Sequence, residues 1–166
     1  MKNGHPLAKH RSRIDMPEKP REQLVTLLNS SLATALDLAT QCKQAHWNVA
    51  GMEFYQLHLL FDKAAGEIGE AVDLLAERVL QLGGTALGTA RIAAERSLLD
   101  EYPQQIVSGK QHVEALTERM ATFANHLRQA IRTSDTLGDP TTADIYTEIS
   151  RTADKTLWML EAHLRS

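Results

Sequence analysis

The chain has 166 residues, 43% of them apolar, which is enough for one domain whose core needs no disulfide or metal to hold it. Its single cysteine, Cys42, excludes an intramolecular disulfide and any cluster held by cysteines of one chain, and it suits the reducing cytoplasm. No apolar run approaches the roughly 20 residues that span a bilayer, and the first residues lack the apolar segment of a secretory signal, so we expect a cytoplasmic protein without membrane contact.

The formal net charge of -3 is unevenly distributed along the chain. Residues 1–14 contain no acidic side chain, and their basic side chains are Lys2, Lys9, Arg11 and Arg13. We therefore divide the chain into a flexible basic N-terminal arm, residues 1–16, and a folded body, residues 17–166. Such an arm suits a polyanionic partner such as DNA, and the same composition is also typical of a solvated, disordered end.

Two long helices are predicted in the first half of the chain. Pro17 suits the start of the first, and apolar residues then recur at three- and four-residue spacing as far as His46. Residues 48–51 break the pattern. The second helix has the same spacing over residues 54–79, and Gly83 follows it as a glycine C-cap would.

Two more long helices are predicted after a connection that is too long for a tight hairpin. The connection has its own apolar spacing over residues 92–99, which predicts a short helix. The third long helix is expected to open near Pro103 and carries one apolar stripe. The fourth has the strongest start signal, because Asp139 suits the N-cap and Pro140 the first helical position.

Four long helices with one extended connection, between the second and the third, describe an all-α four-helix bundle with a crossover, the connectivity of ferritin-like folds. Aromatic residues are only 5% of the chain and no long β-branched alternation occurs, so no strand is expected. The same scaffold serves electron carriers, cytokines and structural proteins, so the fold alone says little about function.

Histidine and carboxylate side chains concentrate around the junction of the first two helices: His46, His58, Asp62, Asp73 and Glu77. At about 100° per residue, the three carboxylates lie within roughly 100° of His58 around the second helix, so the four side chains share one stripe. We expect this stripe to lie among core-facing positions. Because unpaired buried carboxylates cost free energy, the set predicts a bound metal or another cation.

His58 and Asp73 cannot bind one metal within one chain, because the helix between them is about 22 Å long. If two second helices pack antiparallel about a two-fold axis, His58 of one chain faces Asp73 of the other. Gly66 lies near the midpoint, where the lack of a side chain lets two backbones approach closely. The spacing therefore predicts two equivalent metal sites, each shared by two copies of the chain.

Other interpretations of these residues stay open. A single histidine at a helix interface is more often a hydrogen-bonded core residue than a ligand. Asp62 suits an ion pair beside the site as well as it suits metal ligation. The Glu-x-x-His pattern of an intrachain di-iron bundle does not occur in the sequence, and no carboxylates are arranged as a second site around His112, His126 and His163.

Several stretches carry a resemblance to a known family. KQAHWNVAGMEFYQLHLLFD at 43–62 and DLLAERVLQLGGTALG at 73–88 resemble the signature of the Dps proteins, the mini-ferritins described as DNA-binding proteins from starved cells. The similarity covers nearly the whole chain, including GDPTTADI at 138–145 and LWMLEAH at 157–163.

The resemblance implies a ferroxidase, a protein that binds and oxidises iron. By its pattern, His46 and His58 are the metal-binding histidines of one subunit, and Asp73 and Glu77 are the carboxylates of its two-fold mate. Asp62 matches a further acidic position beside that site. The resemblance also implies hydrogen peroxide as the oxidant and a hollow dodecameric shell that stores ferric mineral and protects DNA from oxidative damage.

Residues near this site are assigned supporting roles. Lys43 lies one turn before His46 on the same face, so it can pair with the carboxylates of the site and compete with a second iron. Trp47 suits a redox-active neighbour, although a tryptophan buried in packing is the more frequent situation. In similar proteins, acids around the turn into the last helix line pores for iron, and the matching residues here are Asp135, Asp139 and Asp144.

The basic arm makes DNA binding and compaction the alternative function, either beside iron oxidation or with iron oxidation secondary. One arm with few cations binds a phosphate backbone weakly, but many arms on one shell bind strongly and with a steep dependence on salt. An arm that is disordered, or folded onto its own acidic surface, has no such role. A structural bundle without catalysis is the third interpretation.

Overall fold

The computed structural model describes residues 10–165, which form five α-helices and no β-strand. The helices are α1 (Glu18–Asn48), α2 (Phe54–Gln81), α3 (Ala90–Arg96), α4 (Gly109–Thr136) and α5 (Pro140–Ala162). Four are long, and the short α3 lies in the connection between α2 and α4, so the predicted all-α bundle with a crossover helix is confirmed. None of these helices is both long and apolar enough to cross a membrane.

Two helical hairpins build the bundle. α1 packs mainly against α2 and α4 mainly against α5, while α3 packs against α1. Fully burying one large apolar side chain contributes about 1.5–3 kcal/mol, and the bundle interior contains many of them. Cys42 is buried, and burial raises the pKa of its thiol to about 12. The largest side chains of the interior include Tyr146, Phe61, Phe123 and Leu116.

The helix ends that the sequence marks most clearly are set by glycine and by a capping residue. Gly83 has a φ of 83°, a left-handed conformation, and its N–H donates to the Leu80 carbonyl at 2.9 Å. This glycine C-cap ends α2. At the start of α5, the Asp139 side chain accepts a hydrogen bond from the Thr142 N–H, and Pro140 is the first helical residue, as predicted.

The start of α4 differs from the prediction. The helix begins at Gly109 and not near Pro103, because Ser108 and Gln111 form a capping box. The Ser108 hydroxyl oxygen accepts from the Gln111 N–H at 3.3 Å, and the Gln111 side-chain oxygen accepts from the Ser108 N–H at 3.2 Å. Pro103 lies in the irregular part of the connection that precedes this cap.

Polar side chains of α1 hold the connection between α2 and α4 against the bundle. The buried Asn29 amide donates to the Thr85 carbonyl at 3.1 Å and accepts from the Leu87 N–H at 2.8 Å. Further along, the Gln41 amide donates to the Asp100 carbonyl at 3.1 Å. These bonds satisfy backbone groups of a segment with little regular structure of its own, and they fix its path across α1.

The N-terminal segment joins the folded body earlier than predicted. The His10 N–H donates to the Gly83 carbonyl at 2.9 Å, and the Ser12 hydroxyl donates to the Gln81 carbonyl at 2.8 Å. Both bonds dock the segment on the C-terminal end of α2. The docked stretch is part of the body, which corrects the predicted boundary of a free arm at residue 16.

Candidate metal centre

His46 and His58 meet where α1 ends and α2 begins. The short turn between the helices brings the last turn of α1 beside the first turns of α2. The two imidazole rings stack with centroids 3.7 Å apart and planes inclined at 21°. Nδ1 of His46 lies 2.8 Å from the backbone oxygen of His58, and Nδ1 of His58 lies 2.8 Å from the backbone oxygen of His46.

These reciprocal bonds determine which ring nitrogen carries the hydrogen. A carbonyl oxygen only accepts, so Nδ1 of both His46 and His58 must donate. In the neutral ring, Nε2 then keeps its lone pair. Metal-binding histidines typically have this arrangement, with one nitrogen fixed on a carbonyl and the other on the metal. The pair therefore offers two oriented nitrogen donors.

The three carboxylates of α2 lie on its exposed side, and the prediction that they occupy core-facing positions is wrong. The core face of α2 carries Phe61 and Leu75, which are fully buried. At about 100° per residue, Asp73 and Glu77 lie roughly 140° and 180° around the helix from that face. Asp62 is exposed as well. Because these carboxylates are exposed to solvent, they carry no cost of burial that a bound cation would have to offset within one chain.

The nitrogen and oxygen donors are separated in the single chain. Asp62 lies close enough to His46 and His58 for their electrostatic interaction to be significant. Asp73 and Glu77 lie about four to five helical turns beyond His58 on the same exposed surface. Within residues 10–165, no three His, Cys, Asp or Glu side chains are grouped closely enough to hold a metal ion. A site completed by a second copy of the chain stays a prediction.

Lys43 holds Asp62 beside the histidine pair. The Lys43 ammonium lies 2.6 Å from the Asp62 carboxylate, and both side chains are substantially exposed. The hydrogen bond from Lys43 holds the pKa of Asp62 below its usual value, so the carboxylate is ionised at neutral pH. This is the ion pair that the sequence offers as one of two roles for Asp62. A metal that binds the same oxygen must displace the ammonium.

Trp47 is exposed on the surface beside this ion pair. Its side chain is 66% exposed, so the expectation of a buried, packed tryptophan is wrong for the single chain. The Lys43 ammonium lies 5.8 Å from the centre of the Trp47 ring, within the range of a cation–π contact. A large exposed aromatic ring of this kind is typical of surfaces that contact another chain.

A wide groove crosses the outer face of α1 and α2 at this point. It encloses about 1140 Å³, and its floor on α2 contains Ala65, Gly66 and Gly69. A Cβ atom added at Gly66 or Gly69 would meet no atom of residues 10–165 within 4 Å, so nothing in this part of the chain requires glycine there. Glycine in a helix interior costs roughly 0.5–1 kcal/mol relative to alanine. The groove is also lined by Lys43, Trp47 and Asp62.

The acidic residues around the turn into α5 have different surroundings. Asp139 is buried, and its two carboxylate oxygens accept hydrogen bonds from Arg78 of α2 at 3.0 and 2.8 Å. It also accepts from the backbone and the hydroxyl of Thr142. These contacts occupy the carboxylate, which corrects the prediction that Asp139 lines a pore. Asp135 and Asp144 are exposed, and their place in a pore stays a prediction.

Two polar clusters in the interior were not predicted from the sequence. The Tyr102 hydroxyl lies 2.7 Å from Nδ1 of His112. The Ser31 hydroxyl lies 2.8 Å from Nε2 of His126 and 2.9 Å from the Tyr146 hydroxyl. Each cluster joins residues from different elements, and no local pattern marks such a contact. An aromatic residue in the polar connection and a histidine in an apolar helical stripe are the only signals in the sequence.

The basic residues proposed for the arm are only partly described. Arg11 and Arg13 are exposed on the docked segment. Lys2 and Lys9 lie outside the described residues. DNA binding by these side chains therefore stays a prediction.

The sequence matches the family of ferritin-like domains over residues 25–166. It is 45% identical over 156 residues to the DNA protection during starvation protein of Agrobacterium fabrum, covering 94% of this chain and 96% of that protein. DNA protection during starvation protein 1 of Deinococcus radiodurans is 31% identical over 147 residues, covering 89% of this chain and 71% of that protein.

Solved structures agree with these sequence matches. DpsC from Streptomyces coelicolor has a TM-score of 0.91 at 30% sequence identity, covering 99% of this chain and 97% of that chain. A Dps structure from Mycobacterium smegmatis has a TM-score of 0.90 at 26% identity, covering 94% of each chain. The chain therefore belongs to the ferritin-like family and, within it, to the Dps proteins.

Proposed function

We propose that this protein oxidises Fe(II), its substrate, at a site formed between two subunits, and stores the Fe(III) product as mineral inside a dodecameric shell. The observation that carries the proposal is the stacked pair of His46 and His58, in which each Nδ1 bonds to a backbone oxygen and each Nε2 is left for a metal. Hydrogen peroxide is the proposed oxidant. The protein then protects DNA by consuming the Fe(II) and peroxide that together generate hydroxyl radical.

The donor set suits iron in both oxidation states. Imidazole nitrogen suits Fe(II), and carboxylate oxygen suits the harder Fe(III). In the proposed site, His46 and His58 come from one subunit, and Asp73 and Glu77 come from its mate. Glu77 is the proposed bridge between two ions, and Asp62 contributes a further oxygen once Lys43 is displaced.

A two-fold contact between α2 helices supplies the distant carboxylates. The midpoint between His58 and Asp73 falls at Ala65 and Gly66, where α2 borders the open groove. An α2 helix of a second copy, packed antiparallel along this groove, sets its Asp73 opposite His58, and symmetry generates an equal site on the other side. The contact gives Gly66 a packing role that the single chain does not explain.

The proposed reaction consumes two Fe(II) ions and one peroxide molecule. Each ion gives up one electron, the O–O bond breaks, and two protons from solvent complete two molecules of water. His46 and His58 hold the ions without supplying these protons, because their Nδ1 hydrogens are committed to backbone oxygens. Reduction of peroxide by two electrons at once releases no hydroxyl radical.

An anaerobic titration with Fe(II), followed by addition of peroxide, tests this proposal. The absorbance of oxidised iron is expected to rise in the wild type and to be lost in His46→Ala and Asp73→Ala, because each substitution removes a ligand. His163→Ala is the matched control, because Nδ1 of the exposed His163 also lies 2.8 Å from a backbone oxygen, that of Met159. Equal oxidation by the wild type and both site variants would contradict the proposal.

DNA binding is a second candidate function. The exposed Arg11 and Arg13 favour it, because they lie on a segment that is docked on the surface of the body. The names of the relatives from Agrobacterium fabrum and Deinococcus radiodurans refer to DNA protection. Repeated on every subunit of a shell, two such cations give many simultaneous phosphate contacts.

A mobility-shift assay with duplex DNA at low and moderate salt tests this second function. We expect the double variant Arg11→Ala/Arg13→Ala to bind more weakly than the wild type and with a shallower salt dependence, because each lost phosphate contact reduces counterion release. A chain lacking residues 1–9 keeps the docked segment, so its mobility shift shows how strongly Arg11 and Arg13 bind DNA without the preceding residues. Equal shifts for all three proteins would exclude the arm as a DNA contact.

A further inference from the structure

A buried tyrosine and histidine form a hydrogen-bonded pair beneath the groove. Tyr102 lies in the connection that precedes α4, and His112 lies in the first turns of α4. The Tyr102 side-chain oxygen and His112 Nδ1 are 2.7 Å apart. Tyr102 is 7% exposed and His112 is 1% exposed. Neither residue has a part in the proposed metal site.

The direction of the hydrogen bond follows from the other side of the His112 ring. Nε2 of His112 is buried and forms no regular hydrogen bond with any of the described residues, but the backbone of Asn48 lies close enough to favour the charged ring. A backbone group favours a charged imidazole when its carbonyl faces a ring N–H. Nε2 therefore carries the hydrogen, and Nδ1 accepts the hydrogen bond from the Tyr102 hydroxyl.

Both members of the pair are neutral before any reaction. Burial raises the pKa of Tyr102 above its usual range, and burial lowers the pKa of His112. Removing an electron from the phenol makes it a stronger acid than the imidazolium of His112, so the proton then moves to the histidine. Nδ1 of His112 is already placed to take the proton, and the facing carbonyl of Asn48 stabilises the resulting imidazolium.

The pair lies next to the proposed site. Tyr102 lines the same groove as Lys43, Trp47 and Asp62. The His112 ring is 6.4 Å from the ring of Phe61, the residue before Asp62. On the other side, His112 approaches Asn48, which follows Trp47 in the last turn of α1. Packed groups therefore connect the pair to both helices that carry the stacked histidines.

Arg119 limits which oxidants react with this tyrosine. Its guanidinium lies 6.0 Å from the centre of the Tyr102 ring, and it is held there by a 2.9 Å hydrogen bond to the Glu101 carbonyl. A nearby positive charge opposes removal of an electron and opposes formation of a charged His112. Only a strong one-electron oxidant, such as hydroxyl radical, then oxidises Tyr102, and the radical that forms is readily reduced again.

We propose that Tyr102, with His112 as its proton acceptor, is a redox-active tyrosine that captures one-electron oxidising equivalents released beside it. The oxidant in this proposal is hydroxyl radical, which forms when a single Fe(II), instead of a pair, reduces peroxide. The origin of this radical depends on the proposed ferroxidase function. The redox activity of Tyr102 and His112 does not depend on that function, so it can be tested without iron.

The proposed cycle balances in atoms and electrons. Tyr102 loses one electron to hydroxyl radical, which takes a proton from solvent and becomes water. The phenolic O–H bond breaks, and an N–H bond forms at Nδ1 of His112, leaving a neutral tyrosyl radical and an imidazolium. A further Fe(II) then returns an electron and becomes Fe(III), and the proton moves back to the phenol. The net result is conversion of hydroxyl radical, Fe(II) and a proton into Fe(III) and water.

An iron-free experiment tests the pair directly. The sequence has 3 tyrosines, so in a Tyr55→Phe background only Tyr102 and Tyr146 can yield a tyrosyl radical. The intact protein is oxidised with flash-quenched ruthenium tris(bipyridine), and the radical is read by electron paramagnetic resonance. We expect the tyrosyl signal to be lost in Tyr102→Phe and kept in Tyr146→Phe, the matched buried control. A signal that survives Tyr102→Phe overturns the proposal.

A second variant separates the proton acceptor from a purely structural role. Replacing His112 by glutamine leaves Tyr102 in place but removes the imidazole that takes the proton. We expect the radical to form more slowly in His112→Gln and the solvent deuterium isotope effect of the wild type to disappear, with helical content unchanged by circular dichroism. Radical formation with the same rate and the same isotope effect in His112→Gln overturns the assignment of the proton acceptor.

Freeze-quenched samples with limiting Fe(II) and peroxide complete the test. A Tyr102 radical in the iron-free arm and in the iron arm supports the proposal. If the iron-free arm shows a Tyr102 radical, but the iron arm oxidises iron without forming this radical, the proposed link to the metal site is overturned. If the iron arm shows no iron oxidation at all, the ferroxidase proposal fails, and the iron-free arm alone decides whether the pair is redox active.

Discussion

At the junction of α1 and α2, each histidine is oriented by the main chain of the other. The bond from Nδ1 of His58 ends on the backbone oxygen of His46, and the reverse bond mirrors it. Orientation therefore does not depend on any third side chain, and the hydrogen of each neutral ring is held on Nδ1. The resemblance to the Dps proteins implies that His46 and His58 serve one site, but the tautomer follows only from the carbonyls that face the rings.

Lys43 is the residue whose removal should strengthen metal binding. Its ammonium occupies the Asp62 carboxylate at 2.6 Å, so Fe(II) must displace it to use that oxygen. We expect Lys43→Ala to bind Fe(II) several-fold more tightly at the weaker position of the site, measured by anaerobic titration calorimetry. Lys63→Ala is a suitable control, because Lys63 pairs with Glu67 on the same helix and not with Asp62. Unchanged stoichiometry and affinity in Lys43→Ala would show that the ion pair does not compete with iron.

At the scale of the elements, a buried ion pair joins the end of α2 to the start of α5. Arg78 and Asp139 are 5% and 6% exposed, and their side chains bond through two carboxylate oxygens. Burial alone would raise the pKa of Asp139, but hydrogen bonds from Thr142 and Arg78 outweigh it and hold the pKa below its usual value. Asp139 therefore combines a helix cap with an ion pair between helices.

Asp139→Asn is expected to lower the free energy of unfolding by about 3 kcal/mol at pH 7, because removing one partner of a buried ion pair leaves the other unpaired. A carboxyl with a lowered folded pKa contributes stability above its unfolded pKa, and this contribution is lost as the pH falls through the folded pKa. The difference from wild type should therefore shrink below pH 3.8, the ordinary value.

Urea denaturation across this pH range, at one protein concentration, measures the effect of Asp139→Asn. Asp144→Asn is the matched control, because Asp144 is an exposed residue near the start of the same helix. We expect the control to change the free energy of unfolding by no more than about 0.5 kcal/mol. A difference for Asp139→Asn that does not depend on pH would contradict an ionised, paired Asp139.

Gly66 is the position on α2 where we expect the proposed two-fold contact to be most easily broken. A Cβ atom at this position meets no atom of residues 10–165 within 4 Å, and leucine favours helix over glycine by up to about 1 kcal/mol, so the fold should be retained. We expect Gly66→Leu to abolish pairing, read by sedimentation, and with it iron oxidation. Gly66→Ala, which adds one methyl group, should keep a measurable fraction of both. A Gly66→Leu protein that pairs and oxidises iron like the wild type would contradict the contact.

The elements that the sequence predicts well are those with local signals. Asp139 and Pro140 mark the start of α5 because a cap and a first-turn proline act within one turn. Pro103 predicts a start of α4 that is too early, whereas the local signal at the observed start is the capping box of Ser108 and Gln111. The bond from Asn29 to Thr85 could not be predicted, because the two residues are 56 positions apart and no periodic pattern links them.

At the scale of the whole molecule, helix periodicity predicts how the side chains of one helix are directed relative to one another. It does not predict which of them face the core. It predicts that His58, Asp73 and Glu77 share one stripe of α2, since that depends only on residue spacing. Whether the stripe faces the core depends on the partner helices, which periodicity does not specify. The carboxylates therefore turned out to be exposed. This outward direction agrees better with a site shared between subunits than the predicted burial does.

The central claim is that one chain supplies the histidines of each site and another supplies the carboxylates. His58→Ala and Asp73→Ala should each be inactive when assembled alone, because every site then lacks a ligand. A dimer of one variant with the other has one site that lacks both ligands and one that is intact.

Co-assembly of the two variants, followed by peroxide-driven oxidation of Fe(II), is the most direct measurement of this claim. If pairing is random, half of the dimers are mixed and each has one intact site, so about a quarter of the wild-type activity is expected to return. Assemblies of either variant alone, treated in the same way, provide the baseline. A mixture no more active than this baseline would contradict the shared site. It would be the result expected if all ligands of a site came from one chain, because mixing the two variants could not then rebuild an intact site.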